Sequence, residues 1–255
     1  MGEPIYVETR VRCSAERLWW LTQDPVLHPR WDLRFSSIEP EAADPAGRRQ
    51  FTYALDLPAP RLALLRLHGT GVSVGERRDA AGHGTSALRF RPADALSPLG
   101  SGSGYWRYVP VEGGTRFLTG YDYTPGWGRL GPLLDPWLVR PAVGWATAWS
   151  FDRLRLWADE GVDPGTARNR ALGSVALRGA AVGTAARLLR AGPGPVRRGA
   201  AAVLLAVAAF APTGRLVPSA RRCLRRPPGM RAARPPASAA TLPEPVPPST
   251  PGSRP

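Results

Sequence analysis

Between residues 4 and 124 apolar and polar side chains alternate with period two in a series of short runs. In residues 4–11 (PIYVETRV), Ile5, Val7, Thr9 and Val11 fall on one side and Tyr6, Glu8 and Arg10 on the other, the mark of a half-buried strand. Arg34–Glu39 is a shorter run of strand character. Gln50–Leu57 places Phe51, Tyr53, Leu55 and Leu57 on one face. Leu62–Val74 groups Leu62, Leu64, Arg66, His68, Thr70, Val72 and Val74 against Leu65, Leu67, Gly69 and Gly71. Thr85–Arg91 follows the turn signal Ala80-Ala81-Gly82. Tyr105–Val109 and Arg116–Thr124 flank Glu112-Gly113-Gly114, a hairpin signal, and Phe117, Thr119, Tyr121 and Tyr123 share a face. Leu99–Gly104, rich in Gly and Ser, reads as a loop.

The period changes to that of a helix in three places. Ser14 precedes AERLWWLTQ as an N-cap, and Asp24-Pro25 opens a second, shorter helix or turn through His28 and Trp31. From Gly126 to Glu160 the chain reads as one long helix, with Asp135 as N-cap and Pro136 at its first position. Leu138, Ala142, Trp145, Trp149 and Leu156 recur at helical spacing on one face, and Pro141 predicts a kink because it supplies no amide hydrogen. Strands followed by a helix imply an α+β architecture, a curved antiparallel sheet closing on this helix around a cavity.

Composition divides the chain near residue 160. Residues 1–160 hold 19 Arg and 18 Asp or Glu, whereas residues 161–255 hold 15 Arg with Asp163 and Glu244. The formal charge of +14 is therefore a property of the second region, and every basic residue is Arg. Phe210 is the one aromatic residue there, so the interleaved aromatic and basic pattern of a nucleic-acid surface is lacking and nucleic-acid binding is disfavoured. Asp163-Pro164 can cap a helix through about Arg190, broken by Gly192-Pro193-Gly194-Pro195. The apolar run Gly199–Ala211 is 13 residues long, about 20 Å as a helix and short of the roughly 30 Å hydrocarbon core. It could lie on an anionic membrane surface with Arg197, Arg198 and Arg215, or pack back on the preceding domain. Residues 227–255, rich in Pro, Ser and Ala, are expected to be disordered. Three parts result: 1–160 as the α+β domain, 161–226 as an Arg/Ala-rich helical tail, and 227–255 as a Pro-rich extension.

The order strand, two short helices, strands and long helix, with the opening CSAERLWWLTQDPVLHPRW and the closing GYDYTP…WSFDRLRLW, resembles the START-related polyketide cyclase and lipid-transport superfamily (SRPBCC). The resemblance covers about residues 3–160. It implies the helix-grip fold, in which a sheet of about seven strands grips the last helix and encloses an apolar pocket. It also implies function classes from lipid carriers to cyclases, and fold by itself does not choose among them. The aromatic residues expected to line the pocket are Trp31, Tyr53, Tyr121, Tyr123, Trp145 and Trp149, with Trp106 and Tyr108 as further candidates. Such a lining suits a flat or hydrophobic molecule, although large aromatics also fill cores.

Polar candidates are fewer. His28 and His83 read as packing or solvated residues. His68, on a strand face with Arg66 and Thr70, could act as an acid or base if that face turned inward. Asp152 lies on the apolar side of the helix, either paired with an arginine of the sheet such as Arg107 or Arg116 or serving as a polar anchor at one end of the pocket, and a partner is expected in either case. Cys13 and Cys223 form no framework, and no metal spacing, phosphate loop or dinucleotide fingerprint occurs, so no cofactor is expected. The N-terminal MGEPIYVETRVR lacks the apolar run of a secretory signal, and a cytoplasmic protein is expected, with the inner membrane surface as an alternative location. The expected function is binding or transport of a lipid- or polyketide-like hydrophobic small molecule without chemistry. The alternatives are a polyketide cyclase or aromatase, and a module docked peripherally on a membrane through residues 161–226.

Overall fold

The computed structural model describes residues 3–43, 45, 47–57, 65–77, 82–192, 194–229, 232 and 234–246. Seven strands form one antiparallel sheet: β1 (Ile5–Val11), β2 (Ser37–Ala43), β3 (Arg49–Leu57), β4 (Leu65–Arg77), β5 (Gly84–Pro92), β6 (Leu99–Val111) and β7 (Gly114–Pro125). The spatial order is β1-β7-β6-β5-β4-β3-β2, so β2 to β7 run as a meander and β1 pairs with the last strand. Between β1 and β2 lie α1 (Ala15–Gln23) and α2 (His28–Trp31). As expected, the Ser14 side chain accepts from the Arg17 amide at 3.2 Å, and Asp24 Oδ1 accepts from the amides of Val26 and Leu27. After β7 come a helical turn α3 (Gly131–Leu134), a π-turn (Asp135–Val139) and the long α4 (Arg140–Glu160). This is the helix-grip arrangement, a sheet curved around its C-terminal helix.

The β6–β7 hairpin closes where the sequence places it. Gly113 and Gly114 have φ of +74° and +155°, and a Cβ at Gly114 would stand 2.1 Å from the Val11 carbonyl oxygen. The Gly/Ser segment at Leu99–Gly104 is strand rather than loop. Its glycines serve close approach: a Cβ at Gly102 would meet the Phe90 ring at 2.5 Å, and one at Gly104 the Cβ of Tyr121 at 2.6 Å. Strand β4 begins at Leu65; Leu62, Leu64, Ala80 and Ala81 lie outside the described residues.

Asp135 is not the cap of the long helix. Its backbone is helical, and its carboxylate accepts from the Tyr123 hydroxyl at 2.7 Å and from Arg140 Nε at 2.8 Å, tying β7 to the helix start. The disturbance expected from Pro141 is the π-turn immediately before it: a residue without an amide hydrogen leaves the preceding turn unbonded, and the wider turn accommodates this.

Helix α4 changes character along its length. From Arg140 to Ala146 it is exposed or half-buried, whereas Thr147–Leu154 and Leu156 are buried apart from the half-buried Arg155. The sheet covers one side of this second half. The other side is covered by a returning segment: Ser219 N and Arg222 Nη1 donate to Asp152 Oδ2 at 2.7 and 2.8 Å, and Cys223 Sγ donates to the Ala148 carbonyl at 3.2 Å. Leu224 then forms an antiparallel bridge with Glu8 on the edge strand β1. Asp152 therefore has the partner expected for a buried carboxylate, but Arg155 and Arg222 rather than Arg107 or Arg116.

Two further helices, α5 (Pro164–Arg190) and α6 (Pro195–Phe210), form a hairpin. Asp163 caps α5 through the amides of Gly165 and Thr166. Part of the extension expected to be disordered has a defined course. Residues 234–246 contain α7 (Ala237–Thr241). Leu242 packs with Val72 and Ala87 on the outer face of the sheet, and the Ala232 carbonyl accepts from the Tyr105 hydroxyl at 2.9 Å. Residues 247–255 lie outside the described residues. The division expected at residue 160 is thus crossed by packing from residues 219–246.

Candidate functional site

Between the concave face of the sheet, α1 and the first half of α4 lies a cavity of about 850 Å³. That volume is in the range of pockets for drug-sized ligands. Its wall is built from strand faces that the alternation predicts. Phe51, Tyr53, Leu55 and Leu57 of β3 all face it, as do Thr119 and Tyr121 of β7. The Phe51 and Tyr53 rings lie across Gly71 and Gly69 of β4, where a Cβ would come within 2.2 and 2.3 Å of them. Glycine there lets large rings lie flat against the sheet and leaves the volume beyond them open. Leu67, Leu88, Phe90, Leu99 and Trp106 add apolar wall, and Val143 and Ala146 of α4 close one side.

A small number of polar groups reach this wall. Arg34, in the turn after α2, places Nε and Nη2 on the two oxygens of Asp32 at 2.9 and 2.6 Å, and its guanidinium lies 5.3 Å from the centroid of the Tyr121 ring. Burial opposes the charge on both members of this pair. Their mutual attraction overcomes it, holding the Asp32 carboxyl below the usual carboxylate range and Arg34 above its own. The pair is thus ionised, and two of the five guanidinium N–H groups are committed to Asp32. Tyr53 is the second polar group: its hydroxyl has no hydrogen-bond partner among the described residues, and burial, with the charge of Asp94, keeps it protonated. The Tyr121 hydroxyl is bonded to Thr147 Oγ1 at 2.7 Å, and Gln23 bridges Ser86 and the Tyr108 hydroxyl.

His28 also borders the cavity, stacked on Trp31 with ring centroids 4.9 Å apart. Its Nε2 lies 3.1 Å from Asp32 Oδ2, and it is hydrogen-bonded to the Thr22 backbone. Burial pushes the imidazole below its ordinary range against the pull of Asp32, so it is neutral at pH 7. With these partners it serves as a brace for Asp32 and Arg34.

Of the six aromatic residues expected in the pocket, Tyr53 and Tyr121 stand on its wall. Trp31 is wholly buried behind it, donating to the Leu21 carbonyl and packing on Phe117 and Phe151. Tyr123 is turned to Asp135 and Arg140. Trp145 is 50 % exposed, and Trp149 is buried under Arg153 rather than facing the cavity. The last two miss because the cavity meets α4 along Ala142, Val143 and Ala146, so the stripe reaches it at Ala142 but not at Trp145 or Trp149. Of the two further candidates, Trp106 lines the cavity and Tyr108 lies beneath it in the core. His68 touches the cavity rim, but its side chain is 55 % exposed and stands 3.5 Å from Asp94. On β4 the inward residues are Leu67, Gly69, Gly71 and Ser73; the bulkier alternate face, with Thr70 and Val72, is buried on the outside under Leu242. Asp152 is on the far side of α4. Arg34 carries no signal in its strand run; the Asp32-Leu33-Arg34 spacing is what pairs it.

Among the described residues no cluster of His, Cys, Asp and Glu could hold a metal ion. No helix of the described residues is long and apolar enough to cross a membrane.

Fold and cavity together define an α+β helix-grip protein with an internal apolar chamber. No family model matches the chain. A relative from Bacillus subtilis (strain 168), described as "Uncharacterized membrane protein YndG", is 41% identical over 163 residues. That match covers 64% of this chain and 59% of the relative, so the chain spans less than two thirds of the relative's length. Similar solved structures include a STAR-related lipid transfer protein from Xanthomonas axonopodis (16% identity, TM-score 0.43, covering 59% of this chain and 82% of that one). A START superfamily protein from Mycobacterium smegmatis gives 14% identity and a TM-score of 0.41, over 59% of this chain and 94% of that one. The Zhui aromatase/cyclase from Streptomyces sp. R1128 gives 12% and 0.41, over 62% and 98%. These superpositions are too loose to carry an argument about this chain.

Proposed function

We propose that the chain binds or carries a hydrophobic small molecule, lipid- or polyketide-like, in the cavity, with an oxygen-bearing end held by Arg34 and the Tyr53 hydroxyl. The observation that carries this is an apolar chamber of about 850 Å³ whose wall holds an ionised arginine and a tyrosine hydroxyl with no partner among the described residues. Binding without chemistry is favoured over cyclase-type catalysis because His28 is bonded to Asp32 and the Thr22 backbone, while His68 faces outward. Native mass spectrometry of the full chain, followed by denaturation and analysis of the released small molecules, tests the proposal. A co-purified apolar compound that is lost in Ala146→Trp, which fills the chamber, is the expected result. An Ala146→Trp variant that retains the compound at full occupancy would sink the reading.

A second reading, peripheral contact of residues 161–226 with a membrane, is favoured by the exposed apolar side chains of α5 and α6. The Bacillus subtilis relative's description as a membrane protein agrees with it.

A further inference from the structure

The α5–α6 hairpin is rooted at one end. At the start of α5, Ala167 is buried, Ala171 packs on the core cluster of the body, and Arg30 of α2 is paired with Asp163. With 27 residues, α5 extends about 40 Å from this root. Along that length it is held by α6: Arg178 donates to the carbonyls of Ala208 and Ala211 at the far end of α6, and Ala185 and Ala201 are buried between the helices.

At the turn joining the two helices the charge is of one sign. Arg187 and Arg190 end α5, Arg197 and Arg198 begin α6, and all four are exposed. No Asp or Glu occurs between Asp163 and Glu244, so no acidic side chain of the hairpin neutralises them. Arg187 and Arg190 suit the negative end of a helix. Arg197 and Arg198 stand at the positive end of one, where a cation opposes helix stability; Arg197 is partly reconciled by donating to the Ala191 carbonyl. Beside these charges stand two exposed apolar side chains, Leu189 at 51 % and Val196 at 83 % exposure.

We propose that this turn is a docking tip for an anionic lipid bilayer, the four arginines meeting headgroup phosphates while Leu189 and Val196 enter the interface. The proposal rests on the membrane reading of residues 161–226 and assigns it to one end of the hairpin. Charge complementarity selects the partner. A second copy would present the same positive tip. A nucleic acid would be met by aromatic side chains between the arginines, and residues 182–203 hold none. Basic and aliphatic residues side by side are what an acidic lipid surface takes up.

The test uses the full chain and vesicles of phosphatidylcholine alone or mixed equally with phosphatidylglycerol. Co-sedimentation is expected with the anionic vesicles, weakening with salt. Each arginine near such a surface contributes about a fivefold factor, so replacing Arg187, Arg190, Arg197 and Arg198 together by Gln should lower partitioning on the order of 100-fold or more. Leu189→Ser with Val196→Ser, which keeps the charge, should lower it roughly tenfold. Hydrogen exchange on the unsubstituted protein gives an independent reading: amides of 187–198 should become protected by anionic vesicles. Absence of vesicle binding would overturn the tip and the membrane reading together. Binding with protection elsewhere, for example at the exposed Trp137, would overturn the tip alone. Vesicle binding untouched by the arginine substitutions, with loss of duplex DNA binding instead, would assign the tip to nucleic acid and overturn the lipid proposal.

Discussion

Among the largest fully buried side chains are Trp31, Tyr105, Tyr108, Phe117 and Phe151, all within the sheet, its gripped helix and the short α2. The α5–α6 hairpin buries Ala167, Ala185 and Ala201 and turns Leu177, Val196 and Phe210 outward. The hairpin is the more apolar of the two in sequence, yet the body places its apolar side chains in a core around a chamber and the hairpin leaves many on its surface. Burial of an aromatic ring removes 150–250 Å² from water, whereas an alanine contributes a single methyl. The body is therefore held by packing. The hairpin is held by helix propensity, one small-residue seam and the Arg178 cap on α6, and its outward side chains are available to something else.

The largest expected effect separates the two regions by stability. Phe117→Ala, at the centre of the aromatic cluster, should cost about 3–5 kcal/mol in urea unfolding, while Val203→Ala on the exposed side of α6 should change stability by less than about 0.5 kcal/mol. Comparable losses would mean that the hairpin has a core of its own.

The attachment of residues 219–224 sharpens the boundary. Asp152 accepts from Arg155, Arg222 and the Ser219 amide with no exposure of its side chain. Asp152→Ala should destabilise by about 2–4 kcal/mol, because the part-buried Ser219 amide loses its acceptor and Arg155 and Arg222 each lose a buried carboxylate partner. Limited proteolysis after Arg215 and Arg221 should accelerate in parallel. Unchanged cleavage would show that the segment is held without this carboxylate.

Below these in size is a pH effect confined to the body. His28 has a folded pKa lowered by burial, so the unfolded chain takes up the proton first, and stability is full above the ordinary histidine range and falls as pH drops through about 6.5. Asp32, also lowered, adds stability present above the ordinary carboxylate range that is lost in stronger acid. Urea midpoints at about pH 7.5 and about pH 5.5 should differ in the parent chain and converge in His28→Gln. The smallest effect concerns the chamber itself. Tyr53→Phe should weaken ligand binding about three- to tenfold by titration, with little change in stability, since its hydroxyl has no protein partner among the described residues to lose.

Legibility in the sequence followed the period of the chain. The inner faces of β3 and β7 were readable because alternation is enforced wherever one face of a strand is buried. The caps at Ser14 and Asp163 were readable because a short acceptor before a helix has a local mechanism. Which face of strand β4 turns inward was not readable because both are covered, one by the cavity and one by Leu242, so bulk on Val72 and Thr70 does not mark the inside. Helix α4 misled for a related reason. It is buried all round from Thr147 to Leu156 except at the half-buried Arg155, so the stripe through Trp149 and Leu156 has no privileged side there. The glycines at 69, 71, 102 and 104 carried information that only the pairing register could release, since their purpose is set by the side chains that approach them from neighbouring strands.

By itself the sequence determined the element order, the α+β architecture, the inward faces of β3 and β7 and the basic character of everything after residue 160, all of which depend on local periodicity and composition. The tertiary structure decided which aromatics bound the chamber, that Arg34 is its charged group, and that Asp152 holds a segment about seventy residues away. Those outcomes depend on which strand lies beside which and on what covers each face. No period along the chain encodes a contact whose geometry exists only once the sheet has closed.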